Sequence, residues 1–252
     1  DEFARCVAVC GAHPGAVVAG PTAGRLHGLR RMPKDDRVHV IVEPQSQPSI
    51  EPWIVPYRTA AIRAEDIIER DDGIRVTSLA RTALDMARFL RDVDLLSVIE
   101  QASRDGGLDD EQLRSVAVDH ISKHRPWLYR YLRQVDRRLD GGPADSHHEV
   151  LLGDALVAAG LASLVRQFEV DLPGYGPARF DLAIPRLQWA IEVDVFPTHF
   201  ETEGRRRDRR RDAAARSIGW DVTRGVEADL GPRLAVTAAR LRREFDRRRT
   251  AA

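Results

Sequence analysis

The sequence predicts an α/β chain in two parts: a mixed sheet flanked by helices in the C-terminal part, preceded by a smaller mixed α+β domain. Three observations predict this. After residue 140 the residue patterns run helix, three strands, helix, strand, helix, an order that lets helices cover both faces of a mixed sheet. Before it, helices and short apolar strands follow one another irregularly. Between them stands Asp140-Gly141-Gly142-Pro143, a cluster of residues that favours a break. The expected domains are therefore 1–140 and 141–252.

Taken in order, residues 3 to 10 read as a helix, and Pro21 suits the first turn of a short helix over 21 to 29. Val38-His39-Val40-Ile41-Val42 is a buried strand. Trp53-Ile54-Val55 follows, set among Pro44, Pro48, Pro52 and Pro56, and Ile74-Arg75-Val76 is a third strand. Ser78 caps a helix running to about Leu90, with Leu79, Thr82, Ala83, Met86 and Phe89 on one face. Helices are expected over 92–104, 109–119 and 124–138, with Gly106-Gly107 as a break. Beyond the boundary come a helix over 146–159, strands over 166–172, 178–184 and 188–194, a helix over 201–217, a strand over 220–225 and a helix over 231–248.

A content of 43% hydrophobic and 31% charged residues describes a globular chain. No apolar run is long enough to span a bilayer, and the first residues carry no signal pattern, so no membrane partner is expected. Cys6 and Cys10 lie four apart in the first helix. That spacing suits two small buried side chains better than a disulfide and points to a cytoplasmic setting. The 39 basic and 39 acidic residues cancel, yet residues 205 to 216 hold seven arginines against two aspartates. A neutral chain with a basic end can bind a polyphosphate locally. Arg205, Arg206, Arg209 and Arg210 are the candidate nucleic-acid contacts, against the plainer reading of a solvated helix face.

The acids carry the chemistry. Successive side chains of a strand point to opposite faces. Glu192 and Asp194 therefore share a face, and Asp181 sits between Phe180 and Leu182 on the preceding strand. Carboxylates so placed repel one another unless a cation lies among them. Hard divalent cations choose oxygen ligands, so Asp181, Glu192 and the Val193 carbonyl are candidate ligands for Mg²⁺ or Mn²⁺. Such an ion lowers the pKa of a bound water and neutralises charge on a scissile phosphate. Asp194 or His199 would act as base, with histidine favoured because it titrates near neutrality. Ser146-x-x-Glu149 is a capping box, and Glu149 also lies where it can join the acids.

With these residues in view, the C-terminal half resembles the PD-(D/E)xK nuclease superfamily, and within it the very-short-patch-repair-like endonuclease domains. Ser146-x-x-Glu149, Phe180-Asp181, Ile191-Glu192-Val193-Asp194, His199, Asp208-Arg209-x-Arg211-Asp212 and Gly219-Trp220-x-Val222 carry the resemblance over residues 146 to 226. It implies a restriction-endonuclease-like fold, metal binding by Asp181 and Glu192, assistance from Glu149, and DNA as substrate. Asp194 stands where the superfamily name places lysine, and Val195 where relatives commonly have glycine. The N-terminal half resembles, more loosely, the region after the winged helix in the abortive-infection type IV antitoxin family. His13-Pro14-Gly15-Ala16-Val17, Leu26-His27-Gly28-Leu29 and the run from Gly73 to Asp85 carry that likeness. It implies a role in binding DNA or a protein partner. The expected activity is metal-dependent DNA endonuclease; the alternative is a non-catalytic DNA-binding regulator of a toxin–antitoxin type system built on a degenerate nuclease fold.

Overall fold

The structure, a computed structural model, describes all residues except 46–50, 60, 119, 121–124, 162, 195–201, 227–229 and 252, and describes only the backbone at 194, 202–206 and 226. It is an α/β structure of two compact units, Asp1–Arg138 and Leu139–Ala252. Each holds a mixed sheet flanked by helices. The first unit is the longer one, not the smaller domain that the sequence suggests.

In the first unit α1 (Glu2–Ala12) leads to β1 (Val17–Val18), α2 (Gly20–Leu26), β2 (Val38–Val42) and β3 (Ile54–Arg58). Then come β4 (Ile67–Glu69), β5 (Arg75–Thr77) and four helices: α3 (Leu79–Asp85), α4 (Asp92–Gly106), α5 (Asp110–Val118) and α6 (Pro126–Asp136). The sheet order is β3-β2-β1-β5-β4, with β2 and β3 parallel and β1 antiparallel to β2. Every residue of β2 is buried, as expected of a strand covered on both faces. Cys6 and Cys10 lie in the core between α1 and this sheet, both free. Burial pushes the Cys6 thiol up to about 12, so it packs as a small apolar side chain and is a poor nucleophile.

The helix expected from Ser78 to Leu90 is shorter. Ser78 does cap it, accepting the Arg81 N–H, but α3 ends at Asp85 and a 3₁₀ turn over Met86–Arg88 follows. The tighter turn leaves Met86 and Ala87 buried while Arg88 is exposed.

In the second unit β6 (Asp140–Gly141) is followed by α7 (His147–Ala158), β7 (Val165–Leu172), β8 (Gly176–Ile184), β9 (Trp189–Asp194), α8 (Thr202–Ser217), β10 (Asp221–Val226) and α9 (Leu234–Ala251). The sheet order is β10-β9-β8-β7-β6, in which β7, β8 and β9 form an antiparallel meander and β10 lies parallel to β9. The break expected at 140 is itself a short strand: Asp140 and Gly141 pair with Val165 and Arg166. Gly141 has a φ of +98°, and a Cβ there would come within 2.0 Å of the Arg166 carbonyl oxygen, so only glycine fits.

Two apolar clusters sandwich this sheet. Leu152 and Leu156 of α7 meet Leu182, Trp189 and Ile191 of the sheet and Leu241 and Phe245 of α9 on one face. Phe180, Ala190 and Trp220 meet Ala215 of α8 on the other. Burying such side chains contributes roughly 1.5–3 kcal/mol each. Among the described residues no helix is long and apolar enough to cross a membrane.

Candidate functional site

The central strands β8 and β9 bring the two leading acids together. Their ladder pairs Ile184 with Trp189, Ala183 with Ala190 and Leu182 with Ile191. Asp181 and Glu192 are the next residues along each strand. There the side chain of Asp181 takes over from the backbone: its Oδ2 accepts the Val193 N–H at 2.8 Å.

The simple alternation expected around Asp181 is broken at this point. Phe180 packs with Trp220 on the α8 face, whereas Leu182 packs with Ile191 on the α7 and α9 face. On β7, Phe168 likewise lies on the α8 face, while Arg166 lies against Gly153 of α7. Between them Gln167 has a φ of +48°, and it is missing from the ladder that pairs Arg166 with Leu182 and Phe168 with Phe180. A left-handed residue reverses the pleat. Both strands change face together, and Gln167 and Asp181 stand side by side at the change.

Glu149 comes from the first turn of α7, where Ser146 caps the helix by accepting the Glu149 N–H at 3.1 Å. Its carboxylate reaches one residue further back than a capping box requires. Oε2 accepts the Asp145 N–H at 3.0 Å and the Gln167 Nε2–H at 2.6 Å. Glu149 thus serves the helix end and the acid cluster at once.

Glu192 is buried and forms an ion pair with Arg211 of α8, 2.9 Å from Nη2 to Oε1. The Arg211 guanidinium also lies 5.9 Å from the centre of the Phe180 ring. The arginine run therefore divides. Arg209 and Arg210 are exposed, as is Arg207, and among the described residues none of the three forms an ion pair; Arg211 turns inward. Ala214, Ala215 and Ile218 share its face, with Ala215 fully buried. Ala213, one residue before this stripe, is exposed.

The electrostatics follow from this placement. Burial, then the negative charges of Glu192 and Glu149, push the Asp181 carboxyl up to about 7, against the opposing pull of the Val193 amide and Arg211. Asp181, Glu192 and Glu149 thus lie within electrostatic reach of one another and of Arg211. Among the described residues, no three His, Cys, Asp or Glu side chains are grouped closely enough to hold a metal ion.

Of the expected site residues, the structure brings Asp181, Glu192 and Glu149 into one cluster with Val193. The Asp194 side chain, His199, and the side chains of Arg205 and Arg206 lie outside the described residues. Sequence reasoning missed Gln167 as the amide bridging β7 to Glu149, and Arg211 as the partner of Glu192. A signal for Arg211 exists: 211, 214, 215 and 218 follow the i, i+3, i+4, i+7 spacing of a buried helix face.

No protein family and no curated protein matches the sequence. A solved structure, the crystal structure of protein RV2827C from Mycobacterium tuberculosis, is similar over part of its length, with 16% identity and a TM-score of 0.40. The match covers 61% of this chain and 58% of that one, so the chain spans less than two thirds of that neighbour.

Proposed function

We propose that the second unit is a restriction-endonuclease-like domain whose carboxylate cluster supports metal-dependent hydrolysis of DNA phosphodiester bonds. The observation that carries this reading is the juxtaposition of Asp181 and Glu192 on adjoining central strands, with Glu149 brought in by α7. Carboxylate oxygens, with the Val193 carbonyl as a further oxygen, are the donors a hard dication selects, and the described side chains would have to draw closer together to enclose one. Mg²⁺ or Mn²⁺ bound here would activate water and offset charge on the scissile phosphate. Gln167 holds Glu149 in place, and the Val193 amide fixes the rotamer of Asp181. Asp194 or His199 would take the proton from water, and the exposed Arg209 and Arg210 would contact the phosphate backbone, with Arg205 and Arg206 on the same helix.

Arg211 favours a second reading. Its guanidinium already neutralises Glu192, as in a degenerate nuclease fold kept for DNA binding alone, the regulator of a toxin–antitoxin type system. Titration calorimetry with Mg²⁺ and Mn²⁺, beside a cleavage assay on duplex and single-stranded DNA, separates the two. The nuclease reading expects metal binding and cleavage by the wild type, both lost in Asp181→Asn. Binding of DNA that weakens with salt and survives Asp181→Asn, with no metal heat and intact DNA, overturns it in favour of the regulator.

A further inference from the structure

The first unit holds a pocket of about 350 Å³ that the carboxylate cluster of the second unit does not involve. Among its described lining residues are Arg58, Arg81, Arg88 and Arg125 and one carboxylate, Asp85, with Asp66 behind Arg81. Such an excess of positive charge in a concavity of ligand size favours an anion.

The individual groups sharpen this. Arg81 is buried at 5% exposure and fixed on three sides: Nε donates to Asp85 at 3.1 Å, and Nη1 to the Ala61 carbonyl at 2.9 Å and to Asp66 at 3.2 Å. Its Nη2 has no hydrogen-bond partner among the described residues. His120 also lines the pocket, is 6% exposed, and has a buried Nδ1 without a partner among the described residues. Burial and the neighbouring Arg81 hold its pKa below the ordinary histidine value, so at neutral pH it is an uncharged ring able to donate one hydrogen bond. A buried donor with nothing to donate to is costly unless a ligand or water accepts from it, and His120 Nδ1 is such a group.

Arg88 stands at the exposed side. Its guanidinium lies 4.6 Å from the centre of the Tyr57 ring and 5.8 Å from that of Trp127, and among the described residues no carboxylate is within ion-pair distance. The Tyr57 ring is itself held: its hydroxyl bonds His39 Nδ1 at 2.7 Å, and His39 Nε2 bonds Asp35 at 3.0 Å. Phe89 packs edge-on to Tyr57. The pocket thus pairs arginine donors with a prearranged aromatic wall. Guanidinium forks match phosphate oxygens, and a flat ring suits aromatic and guanidinium planes.

We infer that this pocket binds a small phosphorylated molecule of nucleotide size, its phosphate held by Arg81, Arg88, Arg125 and His120 and its planar group against Tyr57 and Trp127. The test is calorimetry on the full chain with inorganic phosphate, a nucleoside 5′-monophosphate and the matching nucleoside. The monophosphate is expected to bind saturably, inorganic phosphate about tenfold more weakly, and the nucleoside not at all. Arg88→Gln and Arg125→Gln remove charges that are not buried, so both variants are expected to keep the wild-type melting temperature. Together they should weaken monophosphate binding by at least about tenfold. Binding that the double variant leaves unchanged would locate the anion elsewhere, for instance on α8, and would overturn the inference. So would the absence of saturable binding by either phosphate compound at low salt.

Discussion

Each unit buries a cluster of charged side chains, and their surroundings differ: arginines gather beside the first, and acids make up most of the second. In the first, the Arg81 guanidinium is flanked by Asp66 and Asp85, and further arginines line the pocket beside it. In the second, Asp181, Glu192 and Glu149 face Arg211. Burying a charge is costly unless it is paired, so the two proposals place a ligand of opposite sign beside each cluster. The signs differ, and so do the partners proposed: an anion in one unit and a cation in the other.

The largest expected effect breaks the first cluster. Arg81→Met removes the guanidinium that Asp66 and Asp85 share and leaves two buried carboxylates without it. The expected loss is about 3–5 kcal/mol of stability, read as a drop in the urea midpoint at pH 7. A loss below about 1 kcal/mol would mean that Arg81 is not what holds this charge inside, and the contrast between the clusters would fail.

The second cluster is expected to respond in the opposite direction. Asp181 holds its proton in the folded chain up to about pH 7, whereas a free aspartate loses it near 3.8. Between those values the folded state binds more protons than the unfolded state, so stability falls as pH rises through the window, and the full cost persists above it. Asp181→Asn keeps the acceptor for the Val193 N–H and removes the charge. In chelator, it should stabilise the chain by about 2 kcal/mol at pH 8 and by little at pH 4, flattening the dependence between. Thermal unfolding across that range checks it. An Asn variant less stable than the wild type at pH 8 would show that Arg211 and the amide already satisfy all three acids.

How far these clusters were legible in the sequence depends on the reach of each contact. The approach of Asp181 to Glu192 follows from two neighbouring strands and the short connection between them, because both are local. The cap at Ser146 and the inward turn of Arg211 follow from helix spacing. The change of face at Gln167 does not, since it depends on a left-handed residue in the middle of an otherwise regular strand. Nothing about a glutamine requires that conformation. The first cluster was the least visible. Arg81 and Asp85 are one helical turn apart, but Asp66 and His120 reach them only through the tertiary fold. The length expected for the helix after Ser78 hid the 3₁₀ turn that exposes Arg88.

The smallest effect sharpens the comparison by separating the helix end from the acid cluster. Ser146→Ala removes only the hydroxyl that accepts the Glu149 N–H. A lost N-cap costs about 1 kcal/mol. Glu149 retains its own bonds to Asp145 and Gln167, so its charge stays beside Asp181. The variant should therefore lose about 1 kcal/mol at both pH 4 and pH 8, shifting the stability curve without changing its slope. Glu149→Gln gives the complementary result, a shallower slope through the same window, because it removes one of the charges that raise Asp181 while leaving the hydroxyl cap intact. If Ser146→Ala also changed the slope, the cap and the acids would be one coupled network, and the excess charge of the second unit would have to be assigned to α7 as much as to the sheet.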